Sequence, residues 1–138
     1  MKVIHLHSSI TERVFLTLSG VIAAGIGIAI WTVPSEFYGS YGIELAGDVN
    51  LINELKAPAG VLFVAGLLIL KGAIRRRSTT ASMTVAAVLY LSFGASRLFS
   101  FVVDGMPNDA IVSAAILEIA LGAIAVFGLI AHRWTSEF

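Results

Sequence analysis

The sequence has no cysteine. Disulfides, thiolate nucleophiles and cysteine metal sites are therefore excluded, and thiol usage says nothing of the redox compartment. Charge is scarce as well: Asp, Glu, Lys and Arg make up 13% of the 138 residues, about half the share of an ordinary soluble domain. Acidic and basic residues cancel, which leaves no electrostatic case for a nucleic-acid partner. The three histidines, His5, His7 and His132, all fall outside the apolar runs. Haem ligation inside a bilayer thus has no candidate, and the His5/His7 pair reads as solvated polar residues before it reads as a metal site. No nucleophile or cofactor motif is present, and the glycines of GIGIA lie inside an apolar run rather than in a phosphate loop. No catalytic residue, metal or cofactor is expected.

What is abundant is apolar side chain, at 57% of the chain with a mean hydropathy of +0.90. So short a chain has too much surface to hide that excess in water. A spanning helix needs about 20 mostly apolar residues. Val14 to Val33 meets this with no charge, Ala81 to Val103 with Arg97 inside, and Ala110 to Ala131 with Glu118 inside. The second span is more constrained. Only 14 residues separate Lys56 from Lys71, about 21 Å of helix against a hydrocarbon core of about 30 Å. That helix must start near Val49, carry Asn53, Glu54 and Lys56 into the membrane edge, and hold Pro58 in its first turns, where a kink is expected. The opening MKVIHLHSSITERVF leads into an apolar segment too long for a signal peptide, with no small-residue cleavage site. It is read as the approach to a retained first span.

The links are short: PSEFYGSYGIELAGD (residues 34–48) suits an interfacial loop or short amphipathic turn, KGAIRRRSTT is basic, and DGMPND is a tight turn. The expected fold is all-α: one integral membrane four-helix bundle over residues 1–138, up-down-up-down, with spans at about 14–33, 49–71, 81–103 and 110–131. Seven of the nine basic residues (Lys2, Arg13, Lys71, Arg75, Arg76, Arg77 and Arg133) fall on one side. Glu36, Glu44, Asp48, Asp104 and Asp109 fall on the other. Both termini are then cytoplasmic, which an even number of spans requires. The expected location is a bacterial inner membrane. The Arg75–Arg77 run is explained by this topology, with an anionic-lipid contact as the lesser reading. Trp31 and Trp134 suit the aromatic belt at span ends.

Arg97 and Glu118 are the residues out of place. By helical rise Arg97 lies about 10 Å and Glu118 about 12 Å from the outer boundary, on neighbouring helices. An unpaired charge there costs at least about 2.5–3.5 kcal/mol, which a bidentate Arg–carboxylate pair would offset in large part. Glu54 and Lys56 lie at a similar level. Tyr90, Phe93, Arg97, Ser100 and Asp104 share one face of the third span. A buried polar cluster of Asn53, Glu54, Lys56, Arg97, Ser100, Asp104 and Glu118 is therefore expected in the outer half. It reads equally as a clamp on helix register or as a binding or proton-handling site. Small residues at four-residue spacing (Gly20/Ala24, Ala23/Gly27, Ala114/Glu118/Gly122) read first as bundle packing, then as a homo-oligomer or partner-subunit face.

Asn53-Glu54-Leu55-Lys56-Ala57, the run from Gly94 through Arg97 to Ser100, Asp104-Gly105-Met106-Pro107 and Glu118 together resemble a family of small four-helix bacterial membrane proteins, the domain of unknown function 4345. The resemblance spans the chain from about Asn50 onward. It implies the bundle and the importance of the cluster, and brings no known activity. Lys56 stands where the pattern has Arg, and Ala57-Pro58-Ala59-Gly60 lacks its double glycine, so a bidentate contact at Lys56 is not implied.

Three functions follow in order of fit. The first is a non-enzymatic accessory subunit or binder of a lipid or small amphiphile, with membrane lipid as partner and a homo-oligomer or larger membrane complex as its setting. The second is a proton-coupled small-molecule transporter. It differs from four-helix multidrug exporters, whose essential Glu lies in a first helix that here is uncharged. The third is an intramembrane acid–base isomerase with a carboxylate base and Arg97 as oxyanion partner.

Overall fold

The structure is a computed structural model that describes residues 2–136, with side chains for residues 10–131. Among them every regular element is helical: α1 (Lys2–Thr32), α2 (Pro34–Gly39), α3 (Val49–Ile74), α4 (Thr79–Val103) and α5 (Asp109–Ser136), with a single 3₁₀ turn at Arg76–Ser78. Four helical segments among the described residues are long and apolar enough to cross a membrane: Ile10–Thr32, Val49–Ile74, Arg76–Val103 (the 3₁₀ turn with α4) and Asp109–Ala131. The fold is that of a multi-pass membrane protein.

Local chemistry sets the ends of the helices. The Asp48 carboxylate accepts from the backbone N–H groups of Asn50 and Leu51 at 2.9 and 3.1 Å, which caps α3. Pro58 lies inside α3, and the helix runs on through it. Residues 34–48 are not a plain loop. Pro34, with its φ preset for a first helical turn, opens the short helix α2. Gly105, at φ +101°, turns the chain out of α4. Asn108 then caps α5 by accepting from Ile111 N at 3.2 Å, while its Nδ2 donates to the Tyr41 carbonyl at 2.7 Å. That bond ties the α4–α5 link to the chain following α2.

In lipid no hydrophobic force draws apolar helices together, so close backbone approach has to supply the attraction. α1 packs along α3 at such a seam. A Cβ on Gly27 would lie 2.7 Å from the Ala59 carbonyl oxygen and 2.8 Å from Phe63 N. One on Gly66 would run into the backbone of Ala24, and Gly20 faces Leu70. α5 packs on α4 in the same way, through Gly94 against Ile119 and Gly122 against Leu91. The two pairs join where α3 meets α4: Ser82 Oγ donates to the Leu68 carbonyl at 2.6 Å, and Gly72 leaves room for it. Tyr90 Oη donates to the Ser19 carbonyl, which links α4 to α1. At the opposite end from α2, Arg13 Nε donates to the Ala73 carbonyl at 2.7 Å. It thereby satisfies one of the last-turn carbonyls that helix α3 leaves open.

Candidate functional site

Because α1 pairs with α3 and α5 with α4, the bundle stays open where α1 and α5 face each other. A cavity of about 490 Å³ occupies that space. α1 lines it with Ile22, Ala23, Ile26 and Ile30, and α5 with Ala110, Ile111, Ser113, Ala114, Leu117 and Glu118. Pro58, Ala59 and Leu62 of α3 and Leu89, Tyr90, Phe93 and Arg97 of α4 complete the wall. Across the top lie α2 and the residues after it: Phe37, Tyr38, Ser40, Tyr41 and Ile43. Phe37 organises this cover, with its ring 5.3 Å from Tyr38 in an edge arrangement and 5.5 Å from Tyr41.

Arg97 and Glu118 meet in this wall. Arg97 Nε donates to Glu118 Oε2 at 2.9 Å. Gly94, one turn before Arg97, makes the approach possible: a Cβ there would lie 2.6 Å from Ile119 and 3.6 Å from the Glu118 Cβ. The pair departs from the sequence expectation in two ways. It is part-buried rather than buried, since the Arg97 and Glu118 side chains are 33% and 16% exposed. It is also joined through Nε alone instead of a two-pronged fork. The two Nη groups have no partner among the described residues, and neither is buried. In the same wall, burial raises the Tyr38 phenol above its usual pKa of 10.0, partly opposed by the Arg97 guanidinium, with Tyr41 adding to the rise.

The remaining expected site residues do not converge on this pair. Asn53 and Glu54 are exposed and Lys56 is half-buried, and no ion pair links Glu54 or Lys56 to Arg97. The helical wheel gives the reason. With Pro58, Ala59 and Leu62 turned to the cavity, Asn53 falls on the opposite face of α3 and Glu54 roughly a quarter-turn away. Ser100 Oγ donates to Asp104 Oδ2 at 2.8 Å at the exposed end of α4, outside the cavity wall. The seven-residue cluster thus reduces to one ion pair. The side chains of His5, His7, His132 and Trp134 lie outside the described residues. Trp31, at the end of α1, donates from Nε1 to the Lys56 carbonyl at 3.1 Å.

Sequence reasoning missed the aromatic cover, Phe37, Tyr38 and Tyr41, and the hydroxyl of Ser113. The signal for the cover was present in PSEFYGSY, where Pro34 and three aromatics fall within eight residues.

The profile of the domain of unknown function DUF4345 matches residues 11–129. The chain belongs to that family. The match reaches back through α1, well before Asn50, so the first helix is part of the DUF4345 pattern as well. No curated protein and no solved structure matches the chain. In this DUF4345 member the residues that carried the resemblance divide in space. Arg97 and Glu118 face the cavity, Gly94 lets their helices approach, and Asn53, Glu54 and Asp104 stand at exposed helix ends.

Proposed function

We propose that this protein is a non-enzymatic membrane protein that binds a lipid or small amphiphile in the cavity between α1 and α5. The observation that carries the reading is the composition of the wall: apolar nearly throughout, with one guanidinium whose Nη donors are unspent. Such a wall suits a ligand with an apolar body and one polar end. We place it in a bacterial inner membrane as an up-down-up-down bundle with both termini cytoplasmic. Two contacts support that orientation. Arg13 bonds Ala73 near the exposed Arg75–Arg77 turn, and Asn108 bonds Tyr41 at the end that holds Glu36, Glu44, Asp48 and Asp104. The basic end then faces the cytoplasm.

Native mass spectrometry of the protein, released in mild detergent from its host membrane, tests the binding reading. A discrete added mass is expected, and Ala114→Trp, which puts a large ring into the cavity one turn from Glu118, should lose it. A bare chain, or one carrying only another polypeptide, overturns the reading and makes the protein an accessory subunit or a homo-oligomer.

Proton-coupled transport remains the second reading, because Glu118 stands in the cavity wall. Glu118→Gln should then abolish pH-driven uptake in proteoliposomes, and uptake that persists removes the idea. The isomerase reading ranks last, because one oxygen of Glu118, its only candidate base in the cavity wall among the described residues, is already engaged by Arg97.

A further inference from the structure

Resting on that binding reading, we propose that the ligand is a single-chain amphiphile whose head is a neutral hydrogen-bond acceptor, such as a ketone or ester carbonyl, and not an anion. An arginine in an apolar wall would ordinarily suggest an anionic head. Here Glu118 already neutralises it at 2.9 Å, and among the described residues no other charged side chain lines the cavity. The local charge is therefore zero before any ligand enters. A carboxylate or phosphate reaching the guanidinium would also lie beside the Glu118 carboxylate, in surroundings that screen poorly. Like charges so placed penalise binding.

The pair does leave hydrogen-bonding capacity. A guanidinium has five N–H donors, and Arg97 uses one, from Nε, on Glu118. Its Nη donors can serve a carbonyl oxygen, and the Tyr38 hydroxyl in the same cavity wall offers another. Volume limits the rest of the molecule. About 490 Å³ is within the usual range for one small ligand and less than two acyl chains occupy together. One chain fits along Ile22, Ile26, Leu62, Leu89 and Phe93, with its head towards Arg97.

Three probes of equal chain length test this: methyl dodecanoate, dodecanesulfonate and dodecyltrimethylammonium, doped at equal mole fraction into nanodiscs holding the full chain. Native mass spectrometry reads the fraction bound. The ester should exceed both ions by at least about tenfold. Glu118→Gln keeps an acceptor for Nε but leaves the site with a net positive charge, so the sulfonate-to-ester ratio should rise by a similar factor. A native protein that prefers the sulfonate or the ammonium overturns the neutral-head proposal while leaving the cavity reading intact. If none of the three is retained above empty nanodiscs, the cavity reading itself falls.

Discussion

Replacing Arg97 with leucine strands a carboxylate, and replacing Glu118 with leucine strands a guanidinium, and the structure makes the two costs unequal. Breaking a fully buried pair from one side costs about 3–5 kcal/mol. Glu118 is 16% exposed, so a stranded carboxylate there has little access to water, whereas Arg97 is 33% exposed on a long, weakly hydrated side chain. With that discount, Arg97→Leu should cost about 2–3 kcal/mol and Glu118→Leu about 1–2 kcal/mol. The double variant removes both charges and replaces them with apolar volume, so it should lie within about 1 kcal/mol of the native protein. Reversible unfolding of the four proteins by sodium dodecyl sulfate titration in mixed micelles gives the full cycle. A double variant no more stable than Arg97→Leu would refute the reasoning, as would Glu118→Leu proving the worse single change. If the cycle closes as expected, the pair adds little stability. Loss of amphiphile from the stable double variant would then assign it to binding.

Two further outcomes follow from the same contacts. Gly27→Leu should destabilise the protein by about 3 kcal/mol, the upper part of the overpacking range, because its Cβ meets Ala59 and Phe63 backbone. Gly25→Leu, where a Cβ meets nothing within 4 Å, should be neutral in the same titration; equal losses would refute the seam. Ultraviolet titration should find Tyr38 ionising above its usual value of 10.0, and higher again in Arg97→Gln, since the guanidinium favours the phenolate. Because the folded-state value is raised, its stability contribution is complete below about pH 10 and is lost as pH climbs through the folded value. An unchanged Tyr38 value in Arg97→Gln would place the two groups apart.

The four long helices were legible because each depends on a local property, a run of apolar residues long enough for a bilayer. The partnership of Arg97 with Glu118 was legible for a similar reason: a five-residue link, residues 104–108, makes α4 and α5 neighbours, and helical rise sets the two residues at one depth. Glu54 has a matching depth too, yet it stays away from the pair. Depth comes from counting along a helix, whereas facing depends on how α3 is rotated. That rotation is set by the Gly27–Ala59 and Ala24–Gly66 contacts, which lie up to three turns further along. The roof was harder still. Nothing periodic marks PSEFYG as a helix, and α2 has a place because its rings lie over a gap that only the assembled bundle creates.

That gap has an origin in the distribution of small residues. Gly20, Ala24 and Gly27 draw α1 onto α3, and Gly94 and Gly122 draw α5 onto α4. On the facing stretches of α1 and α5, by contrast, stand Ile22, Ile26, Ile30, Ile111 and Leu117. Those side chains, with Ala23, Ala110, Ser113 and Ala114 between them, leave the space at the α2 end unfilled. Close packing within each pair, with no matching seam between α1 and α5, leaves an open space without any irregular backbone. The ion pair stands in the wall of that space because Gly94, which brings α4 near to α5, lies one turn from Arg97. The feature that tightens α4 against α5 is thus also the one that sets a charged pair beside the cavity.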